Sequence, residues 1–409
     1  MRRGALAKTT IESLGMLQAE KRLPSCQTLF QDINAKIVGV VQQQNPMIYG
    51  ERNRVFLGSG TVEDSRYTTV VDVTKSKVFI GMGSLHGVSK GDTYHVYPPG
   101  TANLNGAKEI VTITIDRVFG AKSSAPLPKD AHVERGCPVT LVKANSTAIL
   151  RVSVHSNDLP EELRKQITKG TSFIAADEAD ATHEIRLSDT GKDYIITDRN
   201  GARLRNSPSF SQASLDIAEM REFLEKVAHC TRVKNYSNGL ELADAFKFEE
   251  IGNKTVVKEN DTITLRVTNL QKSSIANPNT LYFSIFNLRP DWEVVLVAPF
   301  SGESYWSIEV SAGSFNDDTE IEMTIPNEKD TELEDTFLVI ITTQPANFEI
   351  LATINSQDKS SRSVNLPDRL EYLPLPDSDG RDGQVVPRPD CGKWHTAQFV
   401  IKTEREIGE

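Results

Sequence analysis

Residues 44–56 read QNPMIYGERNRVF and mark the point at which the sequence changes from one periodicity to another. Before this stretch, apolar residues recur every three or four positions, which is typical of helices. After it, short runs of alternating apolar and polar residues are separated by glycine, asparagine and aspartate, a pattern typical of β-strands joined by tight turns. The change predicts a short helical segment followed by a long β-rich region, with the boundary close to Leu57.

The helical segment covers residues 5–41 and contains two amphipathic stretches separated by Pro24. The apolar positions of the first stretch are Ala7, Ile11 and Leu14, and those of the second are Leu29, Ile33, Ile37 and Val40. An amphipathic helix has one apolar stripe, which another layer of structure must cover. We therefore expect these helices to form the edge of a larger domain whose sheet is not in this chain.

The β-rich region divides into three parts by the spacing of its alternating runs. Residues 58–146 predict a small β-barrel, residues 147–240 an α+β unit with one longer helix, and residues 241–409 a β-sandwich. Residues 355–391, rich in serine, aspartate, arginine and proline, predict a disordered insertion in the sandwich. The predicted fold class is mainly β with α+β parts, preceded by a helical remnant in residues 1–57.

The individual strands are predicted wherever short alternating or apolar runs occur. They are residues 67–73, 77–82, 93–97, 109–118 and 139–141 in the barrel; 149–154, 184–187 and 192–198 in the α+β unit; and 261–269, 280–288, 292–299, 320–326, 336–343, 348–352 and 395–402 in the sandwich. The apolar runs 294–297 and 337–341 should be buried on both faces of their sheet.

The composition of the chain limits the classes of function that it can have. The chain has 409 residues, of which 38% are hydrophobic and 25% charged, and its net charge is −10. This charge opposes attraction to the phosphate backbone of nucleic acids or to anionic lipids. No window approaches the roughly 18 consecutive apolar residues of a membrane span, and no apolar run of a secretory signal follows Arg2 and Arg3. We expect a soluble protein that binds neither nucleic acid nor membranes.

Three features could be mistaken for ligand sites. The four cysteines, Cys26, Cys137, Cys230 and Cys391, are scattered, which predicts reduced thiols in a cytoplasmic protein. The pair Cys391 and His395 offers fewer than the three or four ligands of a zinc site. The acidic, glycine-containing loop at residues 377–383 lacks the spacing and terminal glutamate of an EF-hand calcium loop. No metal or cofactor is predicted.

The glycine-rich stretch at residues 83–92, GSLHGVSKGD, invites comparison with a phosphate-binding loop. It lacks the Gly-Lys-Ser/Thr ending of such loops, and an alternating run follows it where a helix would be required. The stretch predicts a tight turn that enters a strand of the barrel.

Residues 3–6 (RGAL), the two helices, Gln44-Asn45-Pro46 and Tyr49-Gly50 together resemble the end of the caspase-like (metacaspase-type) peptidase domain of fungal and bacterial proteins. The resemblance covers about the first 57 residues. The barrel turn, the helix ending near Asn235 and residues 281–292 are similar to the non-catalytic region that follows such domains in long family members.

The resemblance implies peptide-bond cleavage by a cysteine nucleophile and a histidine base, which in this family lie in a His-Gly motif and a Cys-His motif. His86-Gly87 is the only histidine–glycine pair in the chain and lies in the barrel turn, and no cysteine is followed by histidine. The family's motifs lie upstream of the matched segment. No catalytic residue is therefore assigned to this sequence.

Three hypotheses follow. The first is a non-catalytic accessory region that binds a protein partner, such as a caspase-like catalytic chain, or regulates a cysteine protease. The second is cysteine endopeptidase activity that arises only when a separate or upstream segment supplies the His/Cys dyad. The third, a hydrolase site built on Cys230 or Cys391 with a histidine, lacks an evident base and orienting group.

Overall fold

The structure of the protein is a computed structural model that describes part of the chain. The described residues are 5–19, 26, 29–30, 33, 54, 56–57, 68–99, 101, 104, 106–120, 122–145, 150–155, 159, 173–176, 178–236, 242–270, 280–299, 306–309, 318–326, 330–343, 348, 351–352 and 394–405. They form a mainly β structure with α+β parts, as predicted. No helix within these residues is long and apolar enough to cross a membrane.

The first helix, α1, spans Ala5–Ala19 and confirms the prediction of helix in this part of the chain. Leu29 and Ile33 are also helical, and they form a small buried cluster with the partly buried Leu14 and Phe56. The rest of the predicted second helix, and most of residues 42–57, lie outside the described residues. Of that stretch, Arg54 is described, and its carbonyl oxygen accepts a 2.8 Å hydrogen bond from the Cys26 amide.

The predicted barrel is a sheet of seven strands that curls into a half-barrel. Its strands are β1 (Thr68–Val73), β2 (Lys77–Ile80), β3 (Thr93–Val96), β4 (Val111–Thr114), β5 (Arg117–Val118), β6 (Ser123–Pro126) and β7 (Pro138–Lys143), in the spatial order β4-β3-β7-β1-β2-β6-β5. Strands β4 and β5 follow each other directly in the chain, yet β4 pairs with β3 at one end of this order and β5 with β6 at the other. Residues 111–118 thus connect the two ends of the sheet around one apolar core.

The sequence patterns did not identify β6. Its residues are Ser123, Ser124, Ala125 and Pro126, and the first three are buried. Small side chains suit a strand that packs closely within a narrow barrel, but they carry no alternating hydrophobic signal. The strand is defined by its pairing with β2 and β5.

The α+β unit is a five-stranded sheet with one helix against it. The strands are β8 (Leu150–Val154), β9 (Phe173–Ala175), β10 (His183–Leu187), β11 (Asp193–Asp198) and β12 (Phe210–Ser211), in the order β12-β11-β10-β8-β9. The helix, α2, spans Ile217–Lys234, and the Asp216 carboxylate caps its start by accepting hydrogen bonds from the Ala218 and Glu219 amides. Both the helix and its end at Asn235 agree with the prediction.

The C-terminal part consists of two sheets packed face to face. A three-stranded sheet contains β13 (Phe246–Glu250), β15 (Thr262–Asn269) and β19 (Thr319–Glu322). The larger sheet contains β14 (Val256–Lys258), β16 (Thr280–Leu288), β17 (Val294–Ala298), β18 (Trp306–Glu309), β20 (Glu332–Thr342) and β21 (Trp394–Glu404). Apolar side chains from both sheets share one buried core, which is the predicted sandwich. The predicted insertion at 355–391 lies outside the described residues.

The sandwich differs from the prediction in several details. Strands β13, β14 and β18 lie outside the predicted runs. Residues 348–352 were expected to form a strand, but Phe348, Leu351 and Ala352 are not in a strand, and the Leu351 amide donates to the Phe348 carbonyl oxygen as in a turn. The apolar run 294–297 is only partly buried, whereas 337–341 is buried throughout as expected. Strand β17 lies at the end of its sheet, so it lacks the second neighbour that encloses β20.

Helix α2 lies between two sheets and connects the parts of the molecule. One side of α2 contributes Met220, Leu224 and Val227 to the core of the five-stranded sheet. Near its C-terminal end, Cys230 and Val233 pack with Phe286 and Leu338 on the outer face of the larger sandwich sheet. The α+β unit and the sandwich are therefore joined through a shared apolar layer.

Candidate functional site

The cysteines in the described residues lack the environment of a nucleophile. Cys26, Cys137 and Cys230 are free thiols, and the last two are buried. Burial raises the pKa of Cys230 to about 11, so very little thiolate exists near neutral pH. Cys391, the fourth cysteine of the sequence, lies outside the described residues.

The neighbouring histidine does not serve Cys230 as a base. His229 Nδ1 lies 3.2 Å from Arg232 Nη2, and its Nε2 lies 2.7 Å from the Leu351 carbonyl oxygen. Arginine can only donate and a carbonyl can only accept, so Nδ1 is the acceptor and Nε2 carries the hydrogen. Both ring nitrogens of a neutral imidazole are thus engaged in holding the helix to the sandwich. The pairing of Cys230 with this histidine as a hydrolase site finds no geometric support.

The glycine-rich stretch 83–92 is a turn of the barrel, and its backbone amides are engaged within the protein. Ser84 N donates to the Phe119 carbonyl, Gly91 N to the Ile115 carbonyl and Ser89 N to the Asp92 carboxylate. A phosphate-binding loop needs several N–H groups that point at the ligand. This turn directs them inward, and it leads directly into β3.

The same turn forms a buried junction with the end of α2. His86 is buried, its Nδ1 accepts a hydrogen bond from the Gly83 amide, and its ring stacks on Phe348. Gly87 lies against Tyr236, where a side chain at position 87 would collide with the phenolic oxygen. The only histidine–glycine pair of the sequence therefore has a packing role.

Asp92 is the charged group of this junction. Its carboxylate accepts hydrogen bonds from the backbone amides of Ser89 (2.8 Å) and Asn145 (2.7 Å). Burial raises the pKa of Asp92 above its usual value, although the two amides and the nearby Arg232 act in the opposite direction. Burial also raises the pKa of Tyr236 to about 12. These groups lie at the contact between two parts of the fold.

Sequence reasoning did not find this junction. Gly87 and Asp92 were recognised only as turn residues, and Arg232 and Tyr236 only as the end of a helix. The turn and the end of α2 are distant in sequence, and no local pattern links a turn to a helix that lies much further along the chain. The one signal of this junction in the sequence is Gly87. A glycine is required at this position because its φ angle is +75° and because a side chain would collide with Tyr236.

The clearest candidate for an interaction surface is on α1. Leu6 and Ile11 are each 50% exposed, and Ala7 is also exposed. Among residues 6–15, the part of α1 whose side chains are described, the buried positions are Thr9 and Ser13. The predicted apolar stripe therefore points largely outward. We call Leu6, Ala7 and Ile11 the α1 apolar face.

Metal sites were considered in the same way. In the parts of the chain that the structure describes, no group of three or more histidine, cysteine, aspartate or glutamate side chains is arranged to hold a metal ion. The acidic loop at residues 377–383 and Cys391 are outside those parts. Of Cys391 and His395, which the sequence analysis did not assign as a metal site, only His395 is described; it lies in β21, with its ring against Phe246.

Comparisons with known proteins assign no family to the chain. No protein-family model matches it, and no curated protein is significantly similar to it. The caspase-like resemblance of the first 57 residues therefore stays a prediction.

Proposed function

We propose that this chain is a non-catalytic region of a caspase-like protein and that it binds a protein partner through the α1 apolar face. The observation that carries the proposal is the exposure of Leu6, Ala7 and Ile11, whereas the buried positions among residues 6–15 are the polar Thr9 and Ser13. An apolar helical stripe exposed to water is typical of a surface that another layer of structure covers.

The partner that best fits this face is the sheet of a caspase-like catalytic segment, which carries the His/Cys dyad and is either separate or upstream. In the family that residues 1–57 resemble, such helices pack on the sheet of the peptidase domain. The β-rich parts would then act as a rigid accessory region that regulates access to the protease or recognises a further protein.

A lack of catalysis by the chain alone is supported by its cysteines and histidines. The described thiols are buried or have no histidine base beside them, and His229 uses both ring nitrogens in structural hydrogen bonds. A cysteine nucleophile requires a thiolate close to an imidazole. The proposal includes a cytoplasmic location, which the free thiols support.

A second function, endopeptidase activity after completion by a dyad-bearing segment, is favoured by the same exposed face. In that case the complex cleaves peptides and neither part does so alone. In the first case the catalytic segment is active by itself, and this chain only modulates or localises it.

The experiment combines an activity assay with a binding assay. The purified chain is incubated with reporter peptides that carry arginine, lysine or aspartate before the scissile bond, with and without a thiol alkylator. We expect no turnover, and alkylator-sensitive cleavage by the chain alone would refute the proposal. Activity that appears only after a metacaspase-type catalytic segment is added would select the second function.

Binding is then measured with the catalytic segment and the double variant Leu6→Ser/Ile11→Ser. We expect this variant to bind at least about tenfold more weakly, because roughly 1–2 kcal/mol of apolar burial is lost at each position. The matched control is Lys8→Ala, an exposed polar position on the same helix. Equal binding by the wild type and the double variant would show that the α1 apolar face is not the contact.

A further inference from the structure

The junction between the barrel and the end of α2 contains polar groups from both sides. The barrel contributes Gly87 and Asp92, and Arg232 and Tyr236 come from the end of α2 and just beyond it. A Cβ atom at position 87 would collide with Tyr236 Oη and would lie 3.1 Å from Arg232 Cδ, so both side chains contact the barrel turn directly. Asp92 is only 2% exposed. The junction therefore holds a carboxylate, a guanidinium and a phenol near one another.

The charged groups of the junction form their hydrogen bonds within their own parts of the fold. The Asp92 carboxylate accepts from the amides of Ser89 and Asn145, which both belong to the barrel. Arg232 Nη2 lies 3.2 Å from Nδ1 of His229, which is one turn earlier on α2. Within the described part of the chain, no hydrogen bond or ion pair joins Asp92 to Arg232. Contact between the two parts therefore removes water from both charged groups and gives neither a hydrogen bond across the junction.

Two further polar atoms of the junction are buried without a hydrogen-bond partner among the described residues. They are Tyr236 Oη and Arg232 Nε, and both carry a hydrogen that could be donated. A buried donor that lacks an acceptor destabilises the arrangement that buries it, because water satisfies the same donor once it is exposed. Both atoms therefore favour separation of the barrel from α2.

The barrel also has an apolar core of its own. That core is formed by residues 70–141 alone. Helix α2, by contrast, shares one apolar core with the five-stranded sheet and another with the sandwich. The contacts that hold the barrel against these parts include the stacking of His86 on Phe348 and the packing of Gly87 against Tyr236. The barrel is thus a separate packing unit, and its contact with the rest of the molecule includes buried polar groups.

We propose that the barrel separates reversibly from α2 while both stay folded, so that the structure shows the docked one of two states. The docked state gains the ring contacts, and the undocked state returns Asp92, Arg232 Nε and Tyr236 Oη to water. These opposing contributions bring the two states close in free energy.

Such an equilibrium gives the barrel a regulatory use. A partner that binds the barrel or the end of α2 needs only a modest difference in affinity for the two states to change their populations. The inference adds an undocked state to the accessory region proposed above, and it does not depend on the α1 apolar face.

The test measures how fast tetranitromethane nitrates each tyrosine of the full chain, by mass spectrometry of its peptides. Nitration occurs on the ring carbon beside the hydroxyl, and in Tyr236 this end of the ring faces the barrel. Tyr194 is the internal control, because it is 3% exposed in the core of the α+β unit and becomes accessible only when that unit opens. Under native conditions we expect Tyr236 to be nitrated at least about tenfold faster than Tyr194.

A first pair of variants pushes the junction apart. Gly87→Ala should raise the nitration rate of Tyr236 about tenfold, because the added methyl collides with Tyr236 Oη only in the docked state. Gly191→Ala is the matched control, since it also has a positive φ angle and its added methyl meets nothing within 4 Å. It should leave the nitration rate of Tyr236 unchanged.

A second set of variants removes the buried donors and should tighten the junction. Arg232→Met keeps an apolar side chain against Gly87 and should lower the nitration rate of Tyr236 several-fold. Lys226→Met makes the same kind of change on α2 at a side chain that pairs with Glu222, and it should have no effect. Tyr236→Phe should raise the urea concentration at the midpoint of unfolding, because it deletes a buried hydroxyl that has no acceptor.

Several results would overturn the inference. Equal nitration rates of Tyr236 and Tyr194 would show that Tyr236 is exposed only by unfolding. An unchanged or higher rate in Arg232→Met, or a lower urea midpoint in Tyr236→Phe, would show that these donors stabilise the docked state. If Gly87→Ala fails to fold, these three results still decide between the two outcomes; if it folds and nitrates no faster than the wild type, the inference is wrong.

Discussion

The imidazole ring of His86 stacks on the ring of Phe348, with the ring centroids 5.7 Å apart and the planes inclined by 29°. His86 belongs to the barrel and Phe348 to the segment that follows β20 of the sandwich. Both side chains are buried, and the adjacent Gly87 packs against Tyr236, just beyond the end of α2. These contacts attach the barrel to the rest of the molecule, and their contribution can be tested at Gly87.

Replacement of Gly87 by alanine should destabilise the protein more than the same change at another left-handed glycine. Each substitution costs about 1–2 kcal/mol because L residues disfavour positive φ. Gly87→Ala adds a collision with Tyr236, so we expect a loss of about 3 kcal/mol in the free energy of unfolding. Gly191→Ala is the control, since its φ is +64° and its added methyl meets nothing within 4 Å. Urea denaturation measures both, and equal losses would contradict the packing role of Gly87.

Cys230 should react with alkylating reagents only after the protein unfolds. Its pKa of about 11 leaves roughly one thiolate in a thousand at pH 8, and burial blocks the approach of the reagent. Cys26 is only partly buried and serves as the comparison. Mass spectrometry of peptides after timed alkylation measures each residue separately. If Cys230 in the native protein were alkylated as fast as Cys26, Cys230 would not be the buried thiol with a raised pKa that the structure describes.

The ion pair between Glu259 and Arg405 should make stability depend on pH in the acid range. Arg405 donates from Nε and Nη2 to the Glu259 carboxylate at 2.6 and 2.8 Å, and these hydrogen bonds hold the pKa of Glu259 below its usual value. A carboxyl group whose pKa is lower in the folded protein than in the unfolded protein stabilises the fold at pH values above its unfolded pKa. That unfolded pKa is about 4.3 for glutamate. That stability is lost as the pH falls through the lower, folded value.

We therefore expect Glu259→Gln to reduce the loss of thermal stability between about pH 5 and pH 3. In an Arg405→Gln background the same substitution should change the pH dependence much less, because the partner is already gone. Unfolding temperatures at a series of pH values measure both effects. If the unfolding temperature of Glu259→Gln fell with decreasing pH as steeply as that of the wild type, the ion pair would not couple stability to pH.

His183 should remain neutral to a lower pH than an ordinary histidine. Burial lowers its pKa, and the charge of Asp198 only partly opposes this. A lowered histidine pKa reduces stability as the pH falls below the unfolded value of about 6.5. An NMR titration of the ring resonance, assigned with His183→Gln, measures the pKa directly. A midpoint at or above 6.5 would contradict the effect of burial.

Many of the strands were predictable from local patterns. Alternating apolar and polar residues and β-branched residues are typical of a half-buried strand, because its side chains point alternately to the core and to solvent. The run 280–288 was predicted with the bounds that β16 has in the structure, and the apolar face of α2 was visible in Ile217, Met220 and Leu224. Strands β6, β9, β12, β13, β14 and β18 were not predicted. Strand β6 consists of small side chains, and β9, β12 and β14 are each only two or three residues long.

The candidate sites were less accessible to sequence reasoning because each one depends on distant segments. The absence of the family's His-Gly and Cys-His motifs could be seen directly in the sequence. The junction between the barrel turn and α2 could not be found in this way, since Gly87 and Tyr236 lie in different parts of the chain. Likewise, the predicted stripe of α1 gave no indication that Ile11 would remain half-exposed.

The sequence by itself determined the mainly β class, the order of barrel, α+β unit and sandwich, and the lack of a cysteine–histidine motif. These properties depend on local periodicity and on which residues occur next to each other. Only the tertiary structure decided that α2 lies between two sheets, that His86 packs on Phe348, and that Gly87 lies against Tyr236. Such contacts depend on the pairing and burial of segments that are far apart in the chain. They therefore produce no pattern within any one segment of the sequence.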